Sequence, residues 1–326
     1  MAASAREPIL EIRDLSVAYP IAIGTVRAVE DVSLTVLKGE VLGVVGESGC
    51  GKSTLGLAIL NLLKPPGRIT GGRIGYGGAD ILAMGQRELL ALRGARIAMI
   101  FQNPLTSLDP LMSVERHFIE TIRAHQPGTP VKECLDRAGR ILVDLGIEPD
   151  RLREYPFQLS GGMRQRIMIG LALVLRPDIL LADEPTTALD VIVEAGFAEL
   201  LVQLRQRYGL TVVLISHNLA LVAEVADRIA VMYAGRIVEL ATVAEIFANP
   251  LHPYTQGLIA CVPNIRLDQK ALNAMPGSPP DLVGVRPFCD FHPRCPFAMD
   301  ICRERIPERL DCGGREVACW LHGKDG

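Results

Sequence analysis

The sequence predicts an α/β fold in which helices cover a largely parallel β-sheet, with a cysteine-rich segment at the C-terminal end. Short apolar runs alternate with helical patterns through most of the first 249 residues, as in parallel sheets covered on both faces. One of these runs leads directly into a glycine-rich loop. Beyond residue 249, proline, glycine and cysteine become dense and regular periodicity fades. The 326 residues suffice for two domains, or for one large domain with an appendage.

The first part of the chain predicts three strands and a helix. Residues 10–17 and 32–36 alternate apolar and polar side chains, as strands with one buried face do. Residues 41–45 are apolar throughout, which predicts a buried strand. Residues 54–63 have a helical period that stops before Pro65-Pro66-Gly67. Strand, glycine-rich loop and helix therefore follow one another in the order that a phosphate-binding loop needs.

The later elements flank a long helical insertion. From about residue 103 to 165 the pattern is helical, with few strand-like runs. Apolar runs predict strands at residues 96–101, 178–182 and 210–215. A helix is predicted at residues 191–208, and a hairpin around Ala234-Gly235 with arms at residues 227–233 and 236–239.

Composition excludes several classes of protein. Hydrophobic residues make up 49% of the chain and charged residues 22%, as in ordinary globular proteins. The net charge of −3 gives no overall basic field for nucleic acid. The unbroken apolar runs are far shorter than the roughly 20 residues that cross a bilayer, and the first residues lack the apolar core of a signal peptide. We expect a cytoplasmic protein, whose role at a membrane would need membrane-embedded partners.

Residues 46–53 read Gly-Glu-Ser-Gly-Cys-Gly-Lys-Ser and fit the phosphate-loop pattern. The glycines let backbone N–H groups approach phosphate oxygens, and the next helix points its positive end at the same place. Lys52 can reach the β- and γ-phosphates, Ser53 can ligate Mg²⁺, and Thr54 can bond the α-phosphate. A plain glycine-rich turn is the alternative. The candidate nucleotide ligands are Gly46, Glu47, Ser48, Gly49, Cys50, Gly51, Lys52, Ser53 and Thr54.

Two acids end the predicted strand at residues 178–182. A carboxylate at Asp183 can orient the Mg²⁺ shell, and Glu184 can polarise an attacking water. Two solvated acids at a strand end are the alternative. Gln102 also ends a predicted strand, where its amide could touch Mg²⁺ or water.

A second phosphate-like element is Ser160-Gly161-Gly162, which precedes an apolar-periodic stretch. Its hydroxyl and amides suit a phosphate at a helix N-terminus, although a plain helix cap is equally compatible with the fragment. Since the chain already has one phosphate loop, this element is expected to serve a nucleotide bound to another subunit. The predicted strand at residues 210–215 ends at Ser216-His217, and this position favours a γ-phosphate sensor over a structural or surface histidine.

Together these residues resemble the ATP-binding subunits of ABC transporters over about residues 8–260. Gly46–Ser53 resembles the Walker A loop, Leu159–Gln165 the signature motif and Ile179–Glu184 Walker B. Gln102 resembles the glutamine of the Q-loop, Thr187-Ala188-Leu189-Asp190 the D-loop, and His217 the switch histidine. Tyr19 occupies the position where an aromatic ring stacks on adenine in this family. The resemblance implies an ABC-type P-loop NTPase domain with a mixed sheet core and a helical subdomain at about residues 103–165, followed by a C-terminal extension at residues 261–326.

A narrower resemblance, to the dipeptide/oligopeptide importer ATPases, covers nearly the whole chain. That group also includes nickel and glutathione importers. The runs that carry the resemblance are Phe101–Pro110, Met163–Arg166, Met232–Glu239, His252–Thr255, Pro276–Leu282 and His292–Pro296.

The resemblance implies a mechanism. Two ATPase subunits bind two ATP molecules head to tail, so that Ser160, Gly161, Gly162, Gln165 and Asp190 contact the nucleotide together with the Walker A loop of the other chain. Glu184 would be the catalytic base, with Gln102 and His217 as further catalytic residues, and Ser53, Gln102 and Asp183 would serve Mg²⁺. The implied partners are a second, different ATPase subunit, two membrane permeases and, indirectly, an external binding protein, with this chain peripheral on the cytoplasmic side of the membrane.

Eight cysteines occur, and five of them fall in the last 38 residues. In a reducing compartment such a cluster more often indicates a metal or iron–sulfur site than disulfides. Cys289, Cys295, Cys302 and Cys319, spaced x5, x6 and x16, lack the close C-x-x-C spacing of common zinc sites. The peptide-importer resemblance implies a 4Fe–4S cluster on these four thiolates, with Cys312 left over. Zinc and reduced, partly buried thiols are the alternatives.

Three positions depart from the family pattern: Asn218 follows the switch histidine in place of Asp, Cys50 replaces Ser, and Phe157 stands where His is common. None removes a catalytic group, so an active ATPase is expected. Two other classes remain as alternatives. One is a soluble ABC ATPase acting on DNA or the ribosome, disfavoured by the single cassette and the absence of sustained heptads. The other is a regulatory iron–sulfur or zinc module that has lost hydrolysis, disfavoured by the presence of Glu184 and His217.

Overall fold

The structure, a computed structural model, describes residues 6–102, 108–186, 191–261 and 275–323. The chain divides into two compact units. The first comprises residues 1–83 and 215–326, and the second comprises residues 84–214. The phosphate-binding loop and the C-terminal segment therefore belong to one unit, and the predicted helical insertion belongs to the other.

The N-terminal part of the first unit contains an antiparallel sheet and the predicted strand, loop and helix. In chain order its elements are β1 (Pro8–Ile21), β2 (Gly24–Leu37), β3 (Val41–Val45), α1 (Lys52–Ile59), β4 (Arg68–Tyr76) and β5 (Ala79–Asp80). The sheet has the order β2-β1-β4-β5 with antiparallel neighbours. Leu10 and Ile12 alternate onto the buried face of β1, and a register shift between Ile12 and Leu15 returns Leu15 and Val17 to that face. The predicted strands at residues 10–17 and 32–36 are confirmed, and both extend further in each direction.

The second unit is dominated by helices. Its elements are α2 (Gln86–Leu92), β6 (Ile97–Ile100), α3 (Val114–His125), α4 (Val131–Asp144), α5 (Gly161–Leu173), β7 (Ile179–Asp183), α6 (Val191–Tyr208) and the start of β8 (Thr211–Ser216). β6 and β7 pair in parallel. Between residues 108 and 165 the structure has helices and short 3-10 turns and no strand. A Cβ on Gly170 would lie 3.0 Å from Ile141 Cγ2 and 3.1 Å from Phe118 Cζ, so glycine allows α5 to pack closely on α3 and α4.

The chain returns to the first unit through β8. The elements that follow are α7 (Leu219–Val225), β9 (Arg228–Tyr233), β10 (Arg236–Thr242), α8 (Val243–Ala248), α9 (Pro253–Ala260), α10 (Ile301–Glu304), β11 (Leu310–Asp311) and β12 (Glu316–Val317). Within this unit, β11, β12, β10, β9 and β3 are neighbours in that order. β3 and β9 are parallel and the other pairs antiparallel, so the sheet is mixed. The predicted β9–β10 hairpin is confirmed.

The described C-terminal residues, 275–323, are part of the first unit and do not form a separate body. β12 pairs with β10, and the buried Arg286 bonds Glu30 at 3.0 Å and Asp290 at 2.7 Å. A segment this short and polar cannot bury enough apolar area for a core of its own, so it uses an existing sheet and buried ion pairs. No helix in the described part of the chain has the length and apolar character needed to span a membrane.

Candidate functional site

The phosphate-binding loop joins β3 to α1 in the first unit. All five residues of β3 are buried, and α1 begins at Lys52. Gly51 has a φ of +106°, and a Cβ there would lie 2.1 Å from the backbone oxygen of Ala28. Only glycine meets both conditions, so the sequence Gly51-Lys52 fixes how the loop enters the helix.

The amine of Lys52 lies inside this loop. The residue is 4% exposed, and its Nζ donates to the backbone oxygens of Gly46 at 2.8 Å and Glu47 at 3.0 Å. Ser53 and Thr54 follow in the first turn of α1 and are half-buried. The N-terminal end of α1 adds positive potential at the same place. The loop thus gathers a charged amine and backbone donors, an arrangement that suits phosphate oxygens.

The middle of the loop consists of Ser48, Gly49 and Cys50. Ser48 and Gly49 are exposed, whereas Cys50 is buried, and burial raises the pKa of its thiol. The backbone oxygen of Cys50 accepts a hydrogen bond from the Gly235 N–H at 2.9 Å. The Cys50 side chain therefore packs inside the loop while its backbone is tied to the β9–β10 turn.

Tyr19, the predicted adenine-stacking residue, lies half-buried in β1. Its ring edge packs closely on the turn after α1. A Cβ added at Gly67 in that turn would lie only 2.4 Å from Tyr19 Cε1, so the close approach requires glycine. The ring is thus placed by this turn, and its contact with adenine stays a prediction.

His217 follows β8 and is exposed. The turn around it is well defined: Ser216 Oγ accepts the Asn218 N–H at 3.0 Å, and the Asn218 side chain accepts the N–H groups of Ala220 and Leu221. Asn218 is therefore the N-cap of α7, a role that Asn and Asp fill about equally well. The departure from Asp keeps the cap intact.

In the second unit the structure brings two predicted catalytic residues together. Gln102 Nε2 donates to Glu184 Oε2 at 2.8 Å. Asp183 ends β7 and is 4% exposed. Glu184 has a φ of +44°, a left-handed conformation that costs a non-glycine residue about 1–2 kcal/mol. Such strain is commonly found at functional sites.

The signature residues begin α5. Ser160 Oγ accepts the Met163 N–H at 3.3 Å, so Ser160 is a helix cap in this structure while remaining exposed. Gly161 and Gly162 are half-buried. Gln165 is buried, and its Nε2 donates to the backbone oxygen of Pro185 at 2.7 Å. Pro185 is the residue that follows Glu184. Its predicted contact with nucleotide stays a prediction, and Asp190 lies outside the described residues.

The prediction of a 4Fe–4S cluster on Cys289, Cys295, Cys302 and Cys319 is wrong. Within the described ranges, which include all eight cysteines, no group of three or more His, Cys, Asp or Glu side chains could hold a metal ion. Burial raises the pKa of Cys289 to about 12 and that of Cys319 to about 11, which favours neutral thiols, whereas cluster iron binds thiolates. The same finding removes zinc and leaves free thiols.

The structure also shows residues at the loop that sequence reasoning missed. Glu47 bonds Arg294 through its carboxylate and Tyr254 through its backbone N–H. Both partners lie in runs noted above only for their resemblance, residues 252–255 and 292–296. No local pattern links those runs to the loop, so the contact could not be predicted from the sequence.

Comparison with known families matches two regions. Residues 29–187 match the ABC transporter family. Residues 238–302 match the family described as the oligopeptide/dipeptide transporter, C-terminal region. The second match begins in β10, well before residue 261, where the extension was predicted to start.

Curated relatives align over almost the whole chain. A dipeptide transport ATP-binding protein, DppD, of Bacillus subtilis is 42% identical over 97% of this chain and 95% of its own. DppD of Caldanaerobacter subterraneus is 42% identical over 96% and 97%. The oligopeptide transport ATP-binding protein OppD of Salmonella typhimurium is 42% identical over 96% and 93%. These names describe ATP-binding transport proteins and mention no iron–sulfur cluster.

Solved structures share the fold. The dimeric structure of MJ0796, a bacterial ABC transporter cassette, aligns with a TM-score of 0.64 and 28% identity over 72% of this chain and 99% of its own. A second structure of that cassette, described as post-hydrolysis with ADP and Pi, aligns equally well. CbiO1 of Clostridium perfringens aligns with a TM-score of 0.65 and 29% identity, covering 74% and 92%. The chain therefore belongs to the ABC transporter ATPases, in the group that carries the oligopeptide/dipeptide transporter C-terminal region.

Proposed function

We propose that this chain hydrolyses ATP to energise the import of dipeptides or oligopeptides through a membrane ABC transporter. The observation that carries the proposal is the loop at residues 46–53, where the Lys52 amine lies within 3.0 Å of two loop carbonyls at the start of α1. The class of cargo is supported by the names of the relatives and by the matched C-terminal region.

The catalytic roles follow from the residues already described. The Lys52 amine and the loop amides bind phosphate oxygens. Glu184 accepts a proton from the attacking water. Gln102 donates a hydrogen bond to the Glu184 carboxylate and so orients that carboxylate. His217 senses the γ-phosphate. Mg²⁺, which neutralises charge on the transferred phosphoryl group, is assigned to Ser53, Gln102 and Asp183.

The partners are proposed from the membership of this chain in the ABC transporter ATPases. A second, different ATPase subunit would pair head to tail with this chain, and its nucleotide would meet Ser160, Gly161, Gly162, Gln165 and Asp190. The dimeric cassette structure supports the pairing. Two permeases would hold the ATPases at the cytoplasmic side of the membrane, and an external binding protein would deliver the cargo.

Reconstitution tests the proposal. The chain is purified with its candidate partner ATPase and permeases, placed in proteoliposomes with the binding protein, and assayed for Mg²⁺-dependent ATP hydrolysis and uptake of labelled peptides. We expect ATP-dependent peptide uptake, absent with Glu184→Gln. Uptake of nickel or glutathione in place of peptides would contradict the proposed class of cargo. Hydrolysis by a chain that never assembles with permeases would favour a soluble ABC ATPase.

A further inference from the structure

Glu47, the second residue of the phosphate-binding loop, is held on three sides. Its backbone N–H donates to the Tyr254 hydroxyl at 2.9 Å. Its backbone oxygen accepts the Lys52 amine at 3.0 Å. Its carboxylate receives two hydrogen bonds from Arg294, at 2.7 and 2.8 Å. The peptide that touches the Lys52 amine is therefore oriented by a side chain 247 residues further along the chain.

Arg294 is also held in place by contacts other than the one with Glu47. Its side chain is 5% exposed, and its Nε donates to the Pro276 oxygen at 2.9 Å. Nη1 also contacts the Tyr233 hydroxyl at 3.3 Å. The guanidinium lies 5.8 Å from the centre of the Tyr233 ring and 6.0 Å from that of Phe291, within cation–π distance. A planar, bidentate pair with a buried guanidinium and a half-buried carboxylate defines geometry better than a surface ion pair does.

A cluster of three aromatic rings supports both contacts to Glu47. Tyr233, Tyr254 and Phe291 are each at most 3% exposed, and their ring centres lie 4.5–5.5 Å apart. Tyr254 supplies the acceptor for the Glu47 N–H, while Tyr233 and Phe291 pack against the guanidinium. The arginine and the hydroxyl therefore approach Glu47 from one rigid cluster.

The C-terminal segment, residues 275–323, also contacts the β9–β10 turn, which bonds the middle of the loop at Cys50. Arg286 Nη1 donates to the Ala234 oxygen at 3.0 Å, in the turn whose next residue, Gly235, donates to the Cys50 oxygen at 2.9 Å. Two buried arginines from residues 286–294 thus support the loop, one directly at Glu47 and one through the β9–β10 turn.

We propose that Arg294 is a positioning residue for nucleotide binding, holding Glu47 so that the phosphate-binding loop keeps the shape that receives ATP. The C-terminal segment would then set nucleotide affinity, and damage to it would weaken ATP binding although the segment itself contains none of the proposed nucleotide ligands. The proposal rests on the function proposed above, since the loop is taken to bind ATP.

The test is a double-mutant cycle on the full-length chain, read out as the Kd for MgATP by calorimetry and as the KM and kcat for ATP hydrolysis. Arg294→Met and Glu47→Gln are each expected to raise Kd and KM about tenfold, the loss typical of one charge-assisted hydrogen bond. The double variant should be no worse than either single one, because both remove the same contact. Arg294→Lys keeps the charge without the fork and should give an intermediate Kd.

Arg309→Met is the matched control. Arg309 also lies in the C-terminal segment. It bonds Glu316 within that segment and joins the segment to β2 through the Ser33 oxygen, without a hydrogen bond to the loop. Its variant should bind MgATP as the wild type does. Unchanged Kd in folded Arg294→Met, additive effects in the cycle, or an equal loss in Arg309→Met would each overturn the proposal. A wild-type chain that fails to bind MgATP would instead overturn the proposed function.

Discussion

The side-chain amide of Gln102 donates a 2.8 Å hydrogen bond to the carboxylate of Glu184. The two residues follow β6 and β7, which are parallel neighbours. The carboxyl ends of parallel strands meet at one edge of a sheet, the usual place for ligand sites in such folds. The pair is the clearest case in which two isolated sequence features are brought together by the fold.

Glu184→Gln should abolish most hydrolysis while MgATP binding is retained. The amide keeps the size and hydrogen-bonding capacity of the side chain but cannot accept a proton from water, so the rate of phosphate release should fall by about 10²–10⁴-fold. Phosphate release and the Kd for MgATP are measured side by side. Gln102→Ala is the companion variant, since it removes the contact but leaves the carboxylate, and should cost less. A wild-type rate for Glu184→Gln would show that another group is the base.

Gly51→Ala and Gly49→Ala form a matched pair within the phosphate-binding loop. Both glycines have positive φ, +106° and +80°, but a Cβ at Gly51 meets the Ala28 oxygen at 2.1 Å, whereas one at Gly49 meets nothing within 4 Å. Gly49→Ala should carry only the conformational cost of about 1–2 kcal/mol. Gly51→Ala should also distort the loop and weaken MgATP binding by at least about 100-fold. Equal affinities for the two variants would contradict this account of the loop.

The phosphate-binding loop was predictable because its signal is local. Buried strand β3, the glycines and α1 follow one another within a few residues, and each has its own pattern. β4, in contrast, was missed, because Gly71 and Gly72 interrupt it and most of its residues are exposed.

Contacts between distant residues were not predictable in the same way. The Glu47–Arg294 pair joins positions 247 residues apart, and neither residue has a local pattern that names its partner. The family resemblance likewise implied a set of four cysteine ligands, but the positions of cysteines along a chain do not determine whether their side chains converge. In this fold the thiols remain free.

Tyr19→Ala should weaken ATP binding but leave triphosphate binding unchanged. Stacking of a base on an aromatic ring contributes about 1–3 kcal/mol, which corresponds to a loss of about 5- to 150-fold in affinity for MgATP. Inorganic tripolyphosphate has no base and should bind equally well to both proteins. Calorimetric titration with each ligand makes the comparison, with Tyr19→Phe as the control that retains the ring. An equal loss for both ligands would mean that Tyr19 supports the loop and not the base.

Asn218→Ala should destabilise the start of α7, whereas Asn218→Asp should not. The Asn218 side chain accepts two backbone N–H groups, at 3.0 and 3.2 Å, and loss of such a cap costs about 1 kcal/mol. Aspartate accepts the same bonds and interacts favourably with the helix dipole. Thermal unfolding and ATP hydrolysis of both variants are compared with the wild type. A destabilised Asn218→Asp would show that the amide has a role beyond capping.

Stability of the first unit should fall as the pH drops below about 6.5, because of His252. This residue is 2% exposed, and its Nδ1 accepts the Tyr254 N–H at 3.0 Å. Burial, with a smaller effect from His322, lowers the pKa of His252 to about 3. In the unfolded chain the pKa is about 6.5, so between these two values only the unfolded chain binds the proton.

The contribution of His252 is therefore complete above pH 6.5 and is lost as the pH falls toward 3, at up to about 1.4 kcal/mol per pH unit. His252→Asn provides the comparison, because Asn is a good N-cap and does not titrate. Urea unfolding followed by the fluorescence of Trp320, the single tryptophan and a residue of the same unit, is measured at several pH values between about 5 and 7.5. The wild type should lose more stability on acidification than His252→Asn. Parallel curves would mean that the nearby Glu239 carboxylate, which accepts the backbone N–H of His252 at 2.9 Å, offsets the cost of protonating the folded imidazole.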